Sequence, residues 1–493
     1  MLITSEVKKL PGVENVVVGM GTDYNLDSLK RLHLFQPEMS KATPSDLMLC
    51  VQAKDEKIAD ELLKTAEKML TAKKSKTGRG EESKPHTLEK AFQGAPESNV
   101  VLISVPGAFD AREAEFALRH DKHVMMFSDN VSIEEELHLK ELACKKGLLL
   151  MGPDCGTAII NNVPLAFANQ VRRGPIGLVA ASGTGLQEVT SIIHTLGSGI
   201  SQAIGVGGRD LSEKVGGLMT ILAVKALAHD DATKVLVLIS KPPAETTLMK
   251  LYKELQNVKK PVVIYFIGAD PRVIETEGHT AAANLEDAAI KACKLADVKK
   301  AGPLMPAKEI DGLAKKHSVK GKYLRALYSG GTLCDEAQRL LLSPLKEIHS
   351  NTPIKGAREL KDVYQSKGHV ILDLGDDLFT RGKAHPMIDP SYRQERLIQE
   401  CSDPDTGLII LDVVLGYGSH LDMAGAMCEA IRQAGAKGKR RPVIAATICG
   451  TAEDLQGYEK QKQTLEEAGV VVFPSNVSLV KFVQATLTRE AKK

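Results

Sequence analysis

Four residues, Ser182-Gly183-Thr184-Gly185, stand between an apolar run, Ile176–Ala181, and a segment of helical spacing that carries Gln187, Glu188 and Ile192-Ile193. A strand–glycine–helix order presents unpaired backbone N–H groups and hydroxyls at a helix N-terminus, where the helix dipole favours an anion. A second tight turn, Gly152-Pro153-Asp154-Cys155-Gly156, follows the apolar run Gly147–Met151. The two turns read as a phosphate or carboxylate site with Cys155 in its lining; the plain alternative is two strand ends that need glycine. His385 lies in Arg381-Gly382-Lys383-Ala384-His385-Pro386, between two cations and near Asp376 and Asp377. It fits a general acid or anion ligand, or an imidazole that folds its own loop. Arg209-Asp210 after Gly207-Gly208 fits a carboxylate clamp or an internal ion pair. Cys155 and Cys334 end turns with no histidine adjacent in sequence, so neither is expected to be a thiolate nucleophile. Asp373, Asp376, Asp377, His385 and Asp389 have no diagnostic spacing, so no metal site is expected.

These residues need a scaffold, and the composition says which kind. The chain has 493 residues, enough for three or four domains. Its apolar fraction is 43% while aromatic residues make up 4%, which points to an α/β protein built on Val, Ile, Leu and Ala. Sixty-four basic residues nearly balance 62 acidic ones, so no net field is available to hold nucleic acid or an acidic membrane. Eight scattered cysteines with no CxxC pair suit reduced, mostly buried thiols. No apolar run approaches the ~20 residues that span a bilayer, and the N-terminus has no signal-like apolar core. A cytoplasmic protein is expected.

Residues 1–72 read as a small α+β unit and 73–98 as a linker, opened by the charged stretch Lys73–Pro85. Strand and helix patterns then alternate regularly, the rhythm of parallel sheets covered by helices. The spacing divides the rest into 99–173, 174–298, a basic linker 299–322, and 323–490. The last two sheet units have flavodoxin-like periodicity, and ligands in such sheets sit at the carboxyl ends of the strands.

The segment Ser98–Ala289 resembles the α subunit of succinyl-CoA synthetase, through Gly152-Pro153-Asp154-Cys155 and Ser182-Gly183-Thr184. Residues 369–485 resemble the C-terminal domain of its β subunit, through Asp373-Leu374-Gly375 and Leu415-Gly416-Tyr417-Gly418. The chain is identified as a member of the FdrA family, in which these pieces are fused. The signatures are Phe127-Ser128-Asp129-Asn130-Val131, Gly207-Gly208-Arg209-Asp210, Ser329-Gly330-Gly331-Thr332-Leu333-Cys334 and His385-Pro386-Met387-Ile388-Asp389-Pro390. The resemblance implies an α/β multi-domain fold: a Rossmann-like domain of CoA-binding type, two flavodoxin-like domains of synthetase type, and the small N-terminal unit.

For the site, the resemblance implies that Ser182–Gly185 and the turn with Gly416 and Gly418 face each other across one phosphate. Lys241 stands where the synthetase has the carboxylate that orients its phosphorylated histidine, so Lys241, with Arg209, becomes a candidate counter-charge for the anion. His279, in Gly278-His279-Thr280, stands at about the place of that histidine. Without its carboxylate it is expected not to be an obligatory phosphate carrier. The first 98 residues lack the length and nucleotide-binding residues of an ATP-grasp domain, and the glycine-rich strand that opens the CoA-binding sheet is missing before Val100. Phosphate is therefore the expected ligand, no cofactor is expected to be tightly bound, and CoA is not favoured.

The activity this membership implies is that of a subunit of an oxamate carbamoyltransferase in purine and allantoin breakdown, converting oxalurate and phosphate to oxamate and carbamoyl phosphate. Two alternatives remain: an acyl-CoA synthetase subunit of succinate–CoA ligase type, and a non-catalytic metabolite-binding or scaffold subunit. Partners would be small anionic substrates and further protein subunits or copies of the chain.

Overall fold

The computed structural model describes residues 7, 10–21, 25–26, 29–30, 34–43, 46–71, 85–381, 383–435 and 442–490. The chain divides into two compact units, 1–85 with 375–389, and 86–374 with 390–493. In the first, β1 (Val13–Met20) pairs antiparallel with β2 (Leu47–Ala53), and α1 (Glu56–Thr71) packs on the sheet. The strands alternate between two small cores. Val16 joins Leu62 and Ala66 of α1, while Met48 and Cys50 join Leu29 and Leu34. Most of the stretch read as an exposed linker, 73–84, lies outside the described residues.

The second unit opens with α2 (Leu88–Gly94), capped by the Thr87 side chain, so the segment 73–98 is not linker throughout. A three-stranded parallel sheet follows: β3 (Val100–Ile103), α3 (Gly107–Arg119), β4 (His123–Met126), α4 (Ile133–Lys146) and β5 (Leu150–Met151). The next strands, β6 (Thr157–Ile160) and β7 (Val163–Ala166), form an antiparallel hairpin that pairs with β9 (Ile200–Gly205). The hairpin therefore belongs to the middle sheet, and the division expected at residue 173 falls earlier. Asn161 and Asn162 turn it with positive φ values of 50° and 67°, the pair of left-handed residues a two-residue hairpin needs.

The rest of the middle sheet is β8 (Arg173–Ala181), α5 (Gly183–Thr195), β9, α6 (Leu218–His229), β10 (Val235–Ser240), α7 (Glu245–Leu255), β11 (Val262–Phe266), α8 (Pro271–Thr276), β12 (Thr280–Ala281) and α9 (Leu285–Leu295). The order is β12-β11-β10-β8-β9-β6-β7. Without the hairpin this is the flavodoxin order, in which the first strand lies between the second and third. The segment 299–322, read as a linker, carries α10 (Ala307–Lys316), which packs on the last helix of the chain.

The third sheet comprises β13 (Tyr323–Tyr328), α11 (Gly331–Leu345), β14 (Ile348–Ser350), β15 (Arg358–Glu359), β16 (His369–Asp373), α12 (Ser391–Ser402), β17 (Thr406–Val414), α13 (Met423–Gly435), β18 (Val443–Cys449), α14 (Tyr458–Glu467), β19 (Val471–Phe473) and α15 (Asn476–Glu490). Its order, β15-β14-β16-β13-β17-β18-β19, repeats the flavodoxin pattern with two short strands added at the edge. Both sheets thus reverse direction beside their first strand, β8 in one and β13 in the other.

Strands buried on both faces read as unbroken apolar runs, such as Val235–Ile239 and Leu408–Leu411. One core runs from Ile176, Leu178 and Val237 through Leu186 of α5 and Ala337 of α11 to Leu324, Ile410 and Phe473. The two flavodoxin-like halves therefore share one apolar interior. A second core joins the other face of the middle sheet, at Val179 and Leu238, to Met125 and Leu150 of the three-stranded sheet. That junction also holds a buried ionic cluster. Lys140 Nζ lies 2.8 Å from both Glu136 and Asp210 and donates to Val206 O at 3.0 Å. All three charged side chains are essentially without solvent contact. Among the described residues, no helix is long and apolar enough to cross a membrane. Replacing Lys140 by Met should leave buried Asp210 without its cation, Glu136 keeping Arg209, and urea unfolding should show a loss of about 3–5 kcal/mol.

Candidate functional site

At the carboxyl end of β8 the chain turns at Ser182 (φ −169°, ψ 113°), whose Oγ accepts the Gly185 N–H at 3.1 Å. The first backbone bond of α5 is Leu186 N–H to Ser182 O. The N–H groups of Gly183 and Thr184 precede it and have no acceptor within the helix. The same construction recurs at β13. Gly330 precedes α11, the first helical bond is Cys334 N–H to Gly330 O, and the amides of Gly331, Thr332 and Leu333 point out of the helix end.

These two helix ends meet. Ser182 Oγ and Thr332 Oγ1 share a hydrogen bond of 2.7 Å. A Cβ on Gly330 would lie 2.8–3.0 Å from the Thr184 side chain, and one on Gly185 would lie 2.9 Å from Thr332 Cγ2. Each helix start therefore receives the other's threonine where it has no side chain of its own.

Lys241 directly follows Ser240, which pairs with Ala181, so it stands beside the end of β8. Its Nζ forms an ion pair with Asp335 of α11 at 2.9 Å. Burial alone would lower the Lys241 pKa, but the charge and hydrogen bond of Asp335, with a smaller contribution from Asp373, raise it. Asp335 in turn is pushed up by burial more than Lys241 brings it back. Lys241 itself stays half exposed, while Asp335 is nearly buried. Asp373, at the end of β16, lies so close to Gly331 that a Cβ there would be 2.6 Å from Oδ2.

Behind the mouth, buried Asp412 accepts the N–H groups of Ser329 and Gly330 at 2.8 Å each. It is held by Arg393 Nη2 at 2.9 Å, with both side chains fully buried. Burial lowers the Arg393 pKa and Asp412 opposes that shift. Asp412 thus takes the amides just before α11, while the first-turn amides have no acceptor within the helix.

The other residues singled out from sequence lie elsewhere. Gly416 and Gly418 do not face Ser182–Gly185 as a second helix start. Gly416 (φ 108°) donates its N–H to Gln456 Oε1, a Cβ on it would meet Ala168 O at 2.5 Å, and α13 begins only at Met423. Gly418 packs on Phe167. The partner foreseen at Gly416 is in fact Gly330–Thr332. Arg209 pairs with Glu136 at 2.8 Å and donates to Val131 O. Asp210 binds Lys140 and the N–H groups of Met219 and Thr220, so the two residues do not pair with each other, and each goes to the joint with the three-stranded sheet.

Cys155 is buried with its Sγ near Thr157 O, and burial pushes its thiol up to about 12, so it acts as packing. His279 precedes β12. Thr280 pairs with Val263 while Ser240 pairs with Phe266, which puts His279 at the amino edge of the sheet, about 13 Å along the strands from the β8 turn. Its ring stacks on Tyr252, its Nε2 is buried without a partner, and burial lowers its pKa. His279 is therefore not at the mouth, for a reason of topology rather than of a missing carboxylate. His385 belongs to the first unit, where its Nδ1 accepts the Met387 N–H at 3.2 Å, a loop-folding contact. Among the described residues no group of three or more His, Cys, Asp or Glu could hold a metal ion.

The chain is 43% identical over 484 residues to an uncharacterized protein, YahF, of Escherichia coli K12, covering 97% of this chain and 94% of that one. The chain belongs to the YahF-like, FdrA-type family. Family models match a CoA-ligase domain at residues 327–486 and an AllF, heavy metal-associated domain at 1–86. Similarity also extends to the α subunit of ADP-forming succinate–CoA ligase from Methanothermobacter thermautotrophicus, 25% identical over 188 residues. That alignment takes in 37% of this chain and 62% of that subunit, less than two thirds of its length. An ATP citrate lyase from Methanothrix soehngenii, solved with citrate and coenzyme A, aligns over 83% of this chain and 75% of its own at 14% identity and a TM-score of 0.36.

In this family member, the CoA-ligase match begins inside β13 and so includes the Ser329–Thr332 helix start. Of the residues around these helix starts, Asp335 and Asp412 escape a search for isolated motifs, and Thr332 stands in a family signature without being singled out as a site residue. The usable signal is that Ser-Gly-Gly-Thr after Tyr323–Tyr328 repeats Ser-Gly-Thr-Gly after Ile176–Ala181. Replacing Gly330 by Val should force Thr184 aside and cost about 1–3 kcal/mol in urea unfolding, whereas Gly278→Ala, at a site with no neighbour within 4 Å, should cost only its positive-φ strain.

Proposed function

We propose that the chain is the anion-binding subunit of a carbamoyl-transferring enzyme, an oxamate carbamoyltransferase of purine and allantoin breakdown. The observation that supports it is the meeting of two helix starts whose first-turn amides have no acceptor within their own helices. Phosphate drawn between these helix starts would be held by the amides of Gly183, Thr184, Gly331 and Thr332 and by the Ser182 and Thr332 hydroxyls. A phosphate oxygen would attack the carbamoyl carbonyl of oxalurate. The C–N bond then breaks, the phosphate proton passes to the departing amide nitrogen, and oxamate and carbamoyl phosphate leave. Amides aimed at the developing oxyanion favour such a step.

Charge balance shapes this reading. Two helix ends contribute about half a unit of positive charge each. With Lys241 they roughly cancel Asp335 and Asp373. Binding would then depend on directed N–H groups more than on net field, and Lys241 serves chiefly to neutralise the carboxylates. A second reading, an acyl-CoA ligase subunit, draws on the CoA-ligase domain and on the succinate–CoA ligase similarity.

The test is to incubate the purified chain, alone and with candidate partner subunits, with carbamoyl phosphate and oxamate, and to measure phosphate release. A parallel reaction with CoA and succinate serves the second reading, and CoA-dependent turnover without carbamoyl transfer would replace the first with it. Gly183→Pro is the sharpest variant. Proline suits the first helical position and Ser182 is already extended, so the fold should hold while one N–H is lost. Phosphate affinity measured by calorimetry should fall about ten- to a hundredfold. Lys241→Met should weaken phosphate by a similar factor, by leaving Asp335 and Asp373 without their cation. His279→Gln should leave it unchanged.

A further inference from the structure

Glu188 and Glu336 occupy the same place in the two halves, the sixth residue of α5 and the sixth of α11. Each reaches across to the other half. Glu188 Oε1 accepts the N–H of Asn476, the first residue of α15, at 2.9 Å. Glu336 Oε1 accepts the N–H of Leu285, the first residue of α9, at 2.8 Å, and its Oε2 accepts Asn476 Nδ2 at 2.8 Å. The helix that opens each sheet thus caps the helix that closes the other. We propose that Glu188 and Glu336 are reciprocal positioning residues that set the gap between the two helix starts at Ser182 and Thr332.

The lever is short. Six residues of helix span about 9 Å, so a shift at either carboxylate moves its helix mouth as a rigid rod. The surroundings make both contacts sensitive to charge. Glu188 and Glu336 are 2% and 0% exposed, and among the described residues neither forms a salt bridge. Facing them are a third buried acid, Glu286 of α9, with Tyr265 of β11, Tyr328 of β13, Cys449 of β18 and Tyr458 of α14. Glu286 is held by Ser475 Oγ at 2.6 Å and the Leu304 N–H at 2.9 Å. Tyr328 donates to Asn476 Oδ1 at 2.8 Å, tying β13 into the same knot. Burial pushes Glu188 up to about 8 and Glu336 up to about 7, and the hydrogen bonds from Asn476 and Leu285 offset only part of that. A neutral carboxyl keeps its capping oxygen; two carboxylates would put like charges into one dry interface. The native pKa values lie above the ordinary carboxylate value of 4.5, so these groups stabilise the joint most at low pH. That contribution is lost as pH rises from about 4.5 through about 8.

The consequence for activity rests on the mouth being the binding site, but the gap itself can be read without any substrate. Ser182→Cys with Thr332→Cys puts a thiol pair where the hydroxyls lie 2.7 Å apart, and the rate of disulfide formation under mild oxidant reports the gap. In that background at pH 6.5, Glu188→Gln keeps its capping oxygen and should crosslink as fast as the parent, whereas Glu336→Gln would turn an NH2 toward Asn476 Nδ2 and serves as no isostere. Glu188→Ala and Glu336→Ala should be slower by about tenfold, the size of a lost cap. The parent rate divided by that of the Glu188→Gln variant at the same pH should fall between pH 6.5 and 8.5, which cancels the titration of the new thiols. Folded Ala variants that crosslink at the parent rate, or a flat ratio, would overturn the proposal. If the Ala variants do not fold, the ratio decides alone. Normal crosslinking behaviour with no phosphate binding would remove the anion site and leave the positioning role standing.

Discussion

Two helix ends with bare amides repel each other unless something close and polar joins them, and here the joint is a single hydroxyl pair with threonines seated on glycines. Ser182 and Thr332 supply the pair, and Gly185 and Gly330 supply the room. The approach is possible only because both helices begin at the reversal point of a flavodoxin-ordered sheet, where the first strand ends in an open crevice. The shared core beneath, from Leu186 to Ala337 to Phe473, holds the sheets at the distance this contact needs. Asp412 and Arg393 complete it from behind, by using the amides just before α11 and leaving those of its first turn.

This arrangement also explains why nearby charge is a poor guide to the chemistry. Lys241, Asp335 and Asp373 lie around one helix start, yet their charges are offset only together with the two helix ends, and the directional groups there are backbone N–H bonds that no side-chain motif reveals. Arg209 and Asp210, the most conspicuous charged pair in the sequence, serve the joint with the three-stranded sheet instead.

The sheets themselves were legible. Unbroken apolar runs such as Val235–Ile239 and the Ser182 turn identify buried parallel strands and a helix start, and both flavodoxin-like halves follow from that alternation. The Thr157–Ala166 hairpin also had a signal, Asn161-Asn162 between two alternating runs, but its membership of the middle sheet depends on a single pairing, Ile159 with Ala203. Helices at 88–94 and 307–316 were hidden by the proline and lysine around them. Which glycine turn meets which was legible only through the repeat of Ser-Gly-Thr-Gly as Ser-Gly-Gly-Thr, and not from the glycines themselves. Gly416 and Gly330 are both strand-end glycines, and only the packing of Ala168 against one and Thr184 against the other tells them apart. His279 shows the same limit, since a residue's place along the sequence does not say at which edge of a sheet it emerges.

The composition of the first unit bears on the order in which the chain is made. Residues 1–85 form one compact body with 375–389, a segment that the ribosome supplies only after the middle sheet and half of the last have emerged. The antiparallel pair Val13–Met20 and Leu47–Ala53 already carries Glu56–Thr71 packed on it, and the helix-covered sheet lies wholly within the domain match at 1–86. That part of the body can therefore be built before residue 375 is made, and the segment 375–389 joins it afterwards across the whole middle of the chain.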